Sequence, residues 1–262
     1  MAKCVNKVIV FDLDDTIGHF EELSMFLGGL QFIVDENIKD TFIFKLLDLW
    51  PNFIAPGIFQ ILKIIKKEKQ RNKCIKAIIY TNNMGPRSWT LAIKRYLEKK
   101  IKYKIFDKII TAYRPNEKYN CRTTYDKIPS DIIKCTGYNK NTKFLFLDDQ
   151  HHPNMYHKTV KYLFLHPYIF SMPYHTMIDT FLKSQYGKIV SNRDRAMFRK
   201  YMFDYLNSGE GTNRYIITKT NISKKDIKQS KMIIKETNIF LKPVTRKNRK
   251  TNNKTKKTRK QH

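Results

Sequence analysis

Four short stretches of this 262-residue chain, residues 8–11, 77–80, 144–147 and 162–165, are apolar without interruption. A strand with one face in water alternates apolar and polar side chains. A run without alternation must be buried on both faces, as in a parallel sheet covered by helices. Residues 105–112 form a weaker fifth run. Between the runs the spacing becomes helical. Ile58, Ile61, Leu62 and Ile65 recur at i, i+3, i+4 and i+7, and Trp89, Ala92, Ile93, Tyr96 and Leu97 line a second face. Those residues read as core, Trp89 included. Further helices are expected over 131–135, near 175–183 and over 193–206. Strands alternating with helices predict an α/β protein with a Rossmann-like, doubly wound parallel sheet. Such sheets bind ligands at the carboxyl ends of their strands.

Three of those strand ends carry chemistry. The first run leads into Asp12-Leu13-Asp14-Asp15-Thr16-Ile17-Gly18, the second into Thr81-Asn82-Asn83, and the third into Asp148-Asp149. Taken alone, Asp-x-Asp-x-Thr also suits a solvated turn, because Asp and Thr favour turns. Parallel strands point the same way, however, so the three ends can meet at one edge of the sheet. Carboxylates gathered so closely repel one another and require a cation, and an all-oxygen set suits magnesium. Phosphate chemistry follows: a carboxylate can attack phosphorus while metal and donors balance the charge of the group in transfer. A cationic side chain for the phosphate oxygens is still needed. Lys118 and Lys127 both lie between the second and third sites. Position along the chain leaves both open, Lys127 being the nearer to Asp148.

Charge is the other strong signal. Lys and Arg number 51 against 23 Asp and Glu, a net charge of +28. Partners with negative charge are expected: nucleic acid, phosphoprotein or another anionic surface. Residues 243–262 hold nine Lys/Arg and no acid, and read as a disordered tail. Without it the chain is still at +19. The tail suits nuclear import, nucleic-acid contact or simple solubility. Residues 208–241 are lysine-rich, with apolar patches at 215–217 and 232–234 that the pattern does not place. The four cysteines (Cys4, Cys74, Cys121 and Cys135) show no metal-ligand spacing and read as reduced thiols. The N-terminal apolar run is too short for a secretory leader. The stretch 42–65 is broken by Lys45, Asp48, Pro51, Asn52 and Pro56, so no membrane span is expected. An intracellular protein, nuclear or cytoplasmic, is the expectation.

The motif set resembles the haloacid dehalogenase (HAD) superfamily of phosphotransferases. Asp12-x-Asp14-x-Thr16 is similar to its first motif, Thr81-Asn82 to its second and Asp148-Asp149 to its fourth, in the correct order, and the likeness spans roughly residues 5–168. The resemblance implies the HAD fold over residues 1–207, with a small helical insert at about 17–56, then an extension at 208–242 and the tail. It implies that Asp12 forms an aspartyl-phosphate and that Asp14 protonates the leaving group and then activates water. Thr81, with Asn82 and Thr16, would bind phosphoryl oxygens, and a lysine, Lys127, would neutralise charge. Asp12, the Asp14 carbonyl and Asp148 would hold Mg²⁺, with Asp149 nearby. An acid at Asp14 favours phosphatase or phosphomutase chemistry, since general acid–base help is worth roughly 10²–10⁴-fold.

A narrower resemblance is to the phosphatases of the RNA polymerase C-terminal domain and their small relatives. It rests on Ala55-Pro56-Gly57 ahead of the helix and on Ile78-Ile79-Tyr80-Thr81-Asn82. Those relatives carry arginine where Ala55 stands. The segments Arg122–Lys127 and Asp148-Asp149-Gln150-His151-His152-Pro153, with the basic tail, look like a divergent branch found in large DNA viruses. His151 and His152 read as loop residues beside the site. Arg114 and Arg122 suit phosphate contact or, as the default in so basic a chain, the surface. From Thr81 to Lys127 there is room only for one helix and one strand, so no large cap is expected, and an open site suits a macromolecule. The leading expectation is a magnesium-dependent phosphatase acting on phosphoserine or phosphothreonine of a protein. Alternatives are a nucleic-acid 3′-end phosphatase and a non-catalytic nucleic-acid-binding module.

Overall fold

A computed structural model describes residues 6–115, 117, 120–208 and 219–243. Five parallel strands form one sheet: β1 (Lys7–Phe11), β2 (Ile75–Tyr80), β3 (Lys108–Ile110), β4 (Lys143–Asp148) and β5 (Val160–Phe164), in the order β3-β2-β1-β4-β5. The apolar runs are the strands, and the fifth, weaker run contributes only three residues of β3. The register explains why a site can form. Phe11 lies opposite Ile79 of β2 and Leu147 of β4, so the three central strands end level with one another.

Side chains still alternate between faces within the apolar runs. Ile9, Phe11, Ala77, Ile79, Leu145 and Leu147 face one core. That core is covered by α1 (Glu21–Ile33), α2 (Ile43–Leu49), α3 (Ile58–Arg71), α4 (Arg87–Ile101), α6 (Tyr174–Lys183) and α7 (Arg195–Asn207). Val8, Val10, Ile78, Tyr80, Phe144 and Phe146 face the other, under α5 (Pro129–Thr136). Both faces exclude water, which is why the runs needed no polar residue. β5 departs from that expectation. It is an edge strand, and Phe164 is 56% exposed. Its apolar sequence packs on β4 from one side only.

Within 17–56 lie α1 and α2, built into the core: Leu23, Phe26, Leu27 and Leu30 of α1 are buried and α1 contacts α7. Between Thr81 and Lys127 the described residues hold only α4 and β3. The segment 224–241, which the sequence pattern left unplaced, is α8 (Lys224–Leu241). Its start is a capping box in which Ser223 and Asp226 satisfy each other's backbone N–H. Ile233, Thr237 and Leu241 are buried as α8 packs on α3 and β1. The patch 215–217, Cys4 and the tail from 244 onward lie outside the described residues.

The cysteines correct the sequence reading. Cys121 and Cys135 form a disulfide, with Cα atoms 5.1 Å apart. The loop before α5 folds back along that helix and brings the sulfurs together across 14 residues of chain. Cys74 is also disulfide-bonded, and no described cysteine is free. No described helix is long and apolar enough to cross a membrane.

Candidate functional site

Asp12 follows the last residue of β1, and its N–H donates to Leu147 O on β4 at 2.9 Å. The chain then makes a tight, heavily bonded loop. Ile17 N donates to Leu13 O, Asp15 N to Gly18 O, and Tyr168 N to Asp15 O. Asp15 takes a left-handed conformation (φ 56°), which Asp tolerates better than most residues. Gly18 is required by close approach: a Cβ there would lie 2.3 Å from Phe53 O. The loop is thus fixed by backbone geometry, and its carboxylates do not wander.

Lys127 is the centre of the cluster. Its side chain is almost wholly buried, and its ammonium donates to Asp12 Oδ1 at 2.5 Å and to Asp148 Oδ2 at 2.6 Å. It also lies within 6 Å of the Tyr80 and Phe146 ring centroids. Lys118 lies outside the described residues. Asp12, Asp148 and Asp149 bring ligand oxygens within 4.8 Å of one another, a group that could hold a metal ion. The donor set fits a hard divalent cation: all ligands are carboxylate oxygens, and one ammonium does not balance three such charges. Thr16 Oγ1 donates to Asp149 Oδ1 at 2.9 Å and so orients it. The Asp14 side chain stands outside this group, where Asn83 Nδ2 donates to its Oδ2 at 2.8 Å.

Thr81 is buried at the end of β2. Its hydroxyl accepts from Asn83 N at 3.0 Å, which leaves its proton available for a ligand oxygen. Asn82 is turned elsewhere: its Oδ1 accepts from Arg122 Nη1 at 2.7 Å. The structure therefore brings Asp12, Lys127, Asp148, Asp149 and Thr16 together, with Thr81 at the end of the neighbouring strand β2, Asp14 outside the group and Asn82 bonded to Arg122.

Three residues do more than the sequence indicated. Arg122 is buried, stacks over the Tyr80 ring at 4.8 Å, and donates to Tyr125 O and Asp126 O at 2.7 and 3.0 Å. It clamps the Asn82 loop to the loop that delivers Lys127. Arg114 likewise donates to Met84 O and Gly85 O. Neither guanidinium is laid out on the surface, and nothing in a lone basic residue among 51 distinguishes it. Asn83 supplies the contact to Asp14, one position past the residue the motif emphasises. His152 Nε2 lies 3.3 Å from Asp148 Oδ1, at ion-pair distance but without hydrogen-bond alignment. His151 packs against Tyr156 and Phe164, away from the carboxylates.

The electrostatics divide the acids by role. Burial pushes Asp12 up from the usual carboxylate range, with Asp148 and Asp14 adding to the rise and Lys127 opposing it. Burial also raises Asp14, against the bond from Asn83. Asp149 is pushed up to about 6, again mainly by burial. Asp148 moves the other way: burial would raise it, but His152 and Lys127 together hold it below the usual range. Lys127 is raised, because Asp12 and Asp148 outweigh the cost of burying its charge. Burial thus biases Asp12, Asp14 and Asp149 toward their protonated forms, while Asp148 is biased toward its ionised form within the same cluster. Comparison with protein-family models, with curated proteins and with solved structures returned no match.

Proposed function

We propose that this chain is a HAD-type, magnesium-dependent phosphatase that works through an aspartyl-phosphate and acts on phosphoserine or phosphothreonine in a protein. The observation that carries the reading is the Asp12–Lys127–Asp148 cluster at the level ends of β1 and β4, with Thr81 directly following β2, the strand paired to β1. Mg²⁺, bound by Asp12, Asp148 and Asp149, would supply charge compensation for the phosphoryl oxygens.

In the first half-reaction an Asp12 oxygen attacks phosphorus and the bond from phosphorus to the ester oxygen breaks. The Asp14 carboxyl, whose hold on a proton burial strengthens, gives its proton to the departing serine or threonine oxygen. Thr81 donates its hydroxyl proton to a phosphoryl oxygen, and Lys127 holds the negative charge that builds there. In the second half-reaction Asp14 takes a proton from water. That oxygen attacks phosphorus, the bond to Asp12 breaks, and inorganic phosphate leaves. Both carboxyl groups return to their starting forms.

Phosphate release from a phosphopeptide panel, with Asp12→Asn as control, tests the proposal. Loss of at least about 10³-fold in the variant is expected, and equal release by both proteins would sink it. A net charge of +28 favours one second reading, a phosphatase of nucleic-acid ends. Faster turnover of 3′-phosphorylated oligonucleotides than of any phosphopeptide would select that reading.

A further inference from the structure

Beyond Asp14 and Asn83 the site opens into a cleft of about 680 Å³. The start of α1, the loop before α4 and Tyr205 of α7 wall it. Its volume is that of a small-molecule site, large enough for a long side chain and some backbone. Met25, Met84 and Tyr205 give it apolar and aromatic sides. Asp14, Asp15, Glu21 and Asp40 also line it, and among the described residues that line it there is no lysine or arginine. His19 lines it too, but its Nδ1 is engaged by Asp15 Oδ1 at 2.6 Å.

In a chain with 51 Lys and Arg against 23 Asp and Glu, this is a local reversal of sign at Asp14, two residues past Asp12. The reversal has a chemical consequence. A nucleic-acid strand carries further phosphates beside the reacting one, and the cleft would repel them. A peptide carries one phosphate, which Thr81 and Lys127 can receive, and the neighbouring side chain falls in the cleft. An arginine or lysine suits it: the methylene stem lies along apolar walls while the charged head reaches the carboxylates.

We propose that this cleft is a substrate subsite for a lysine or arginine flanking the phosphorylated residue of a protein. The inference rests on the phosphatase reading above and adds the substrate class. The chain carries +28 overall, so an acidic cleft would also sort phosphopeptides from nucleic acid at the point of reaction.

The test is a set of phosphoserine peptides identical except that the flanking residues are Arg, Ala or Glu. Alongside run an aryl phosphate, a 3′-phosphorylated oligonucleotide, and the double variant Glu21→Gln, Asp40→Asn, with its folded state checked by circular dichroism. Wild type should prefer the Arg peptide over the Ala peptide by about tenfold in kcat/KM, and the double variant should keep about twofold. A flat profile across the peptides with aryl phosphate still hydrolysed would overturn the subsite and leave the phosphatase reading standing. Oligonucleotide turnover above every peptide would likewise overturn the subsite. No turnover on any substrate, aryl phosphate included, would remove the phosphatase reading and the subsite with it.

Discussion

Lys127 is asked to neutralise two buried carboxylates at once, and the consequence of removing it is large. Lys127→Met leaves Asp12 and Asp148 facing each other in a dry site. Unfolding by urea without divalent metal should show a loss of about 3 kcal/mol, and Mg²⁺ should recover part of it while phosphate release stays abolished. Asn83 offers a finer probe. Its bond to Asp14 lowers that carboxyl, so Asn83→Ala should let burial raise Asp14 further. The acid is active only while protonated, and therefore the alkaline limb of the kcat–pH profile should move to higher pH in the variant. An unmoved limb would place the titrating acid elsewhere. Asp12, Asp14, Thr81 and Asp148 were legible because strand-end acids and hydroxyls are few and ordered. Arg122 was not, because its role depends on carbonyl groups of a folded loop that no sequence pattern records.

The strands were readable for a physical reason: burial on both faces leaves an unmistakable apolar run, and β1, β2 and β4 follow it closely. β5 shows the limit, since an edge strand can carry the same composition and still expose Phe164. α8 was hidden because its buried stripe of Ile233, Thr237 and Leu241 is narrow and set among lysines. Its dependence on the core can be tested at Gly57, which caps α3 with φ 81°. A Cβ there would lie 2.0 Å from Ser230 Oγ of α8. Gly57→Ala should therefore cost about 2 kcal/mol, read as a lower Tm with a native-like spectrum. A neutral result would mean that α8 sits less tightly on α3 than described. The cysteine reading failed at the same level of organisation: spacing along the chain says nothing about the loop that returns Cys121 to Cys135.

For the molecule as a whole, charge and site have opposite signs where they meet. The chain carries +28, with nine Lys/Arg in 243–262, while the cleft beside Asp14 is lined by acids. Removing residues 244–262 should weaken retention on RNA or DNA and flatten its dependence on salt, with aryl phosphate turnover unchanged. Turnover that fell with the tail would tie the tail to the chemistry. The parallel sheet and the carboxylate edge could be anticipated from sequence, but the strand order and the cleft could not. Its walls come from α1, α4 and α7, which the chain brings together only after folding.

The account stands or falls on the phosphoryl group passing through Asp12. Turnover of an aryl phosphate in Mg²⁺, quenched with borohydride, converts any aspartyl-phosphate to homoserine, and mass spectrometry of the digested protein locates it. The account predicts homoserine at position 12 in the wild type and none in Asp12→Asn. Steady phosphate release with no conversion at position 12 would contradict it.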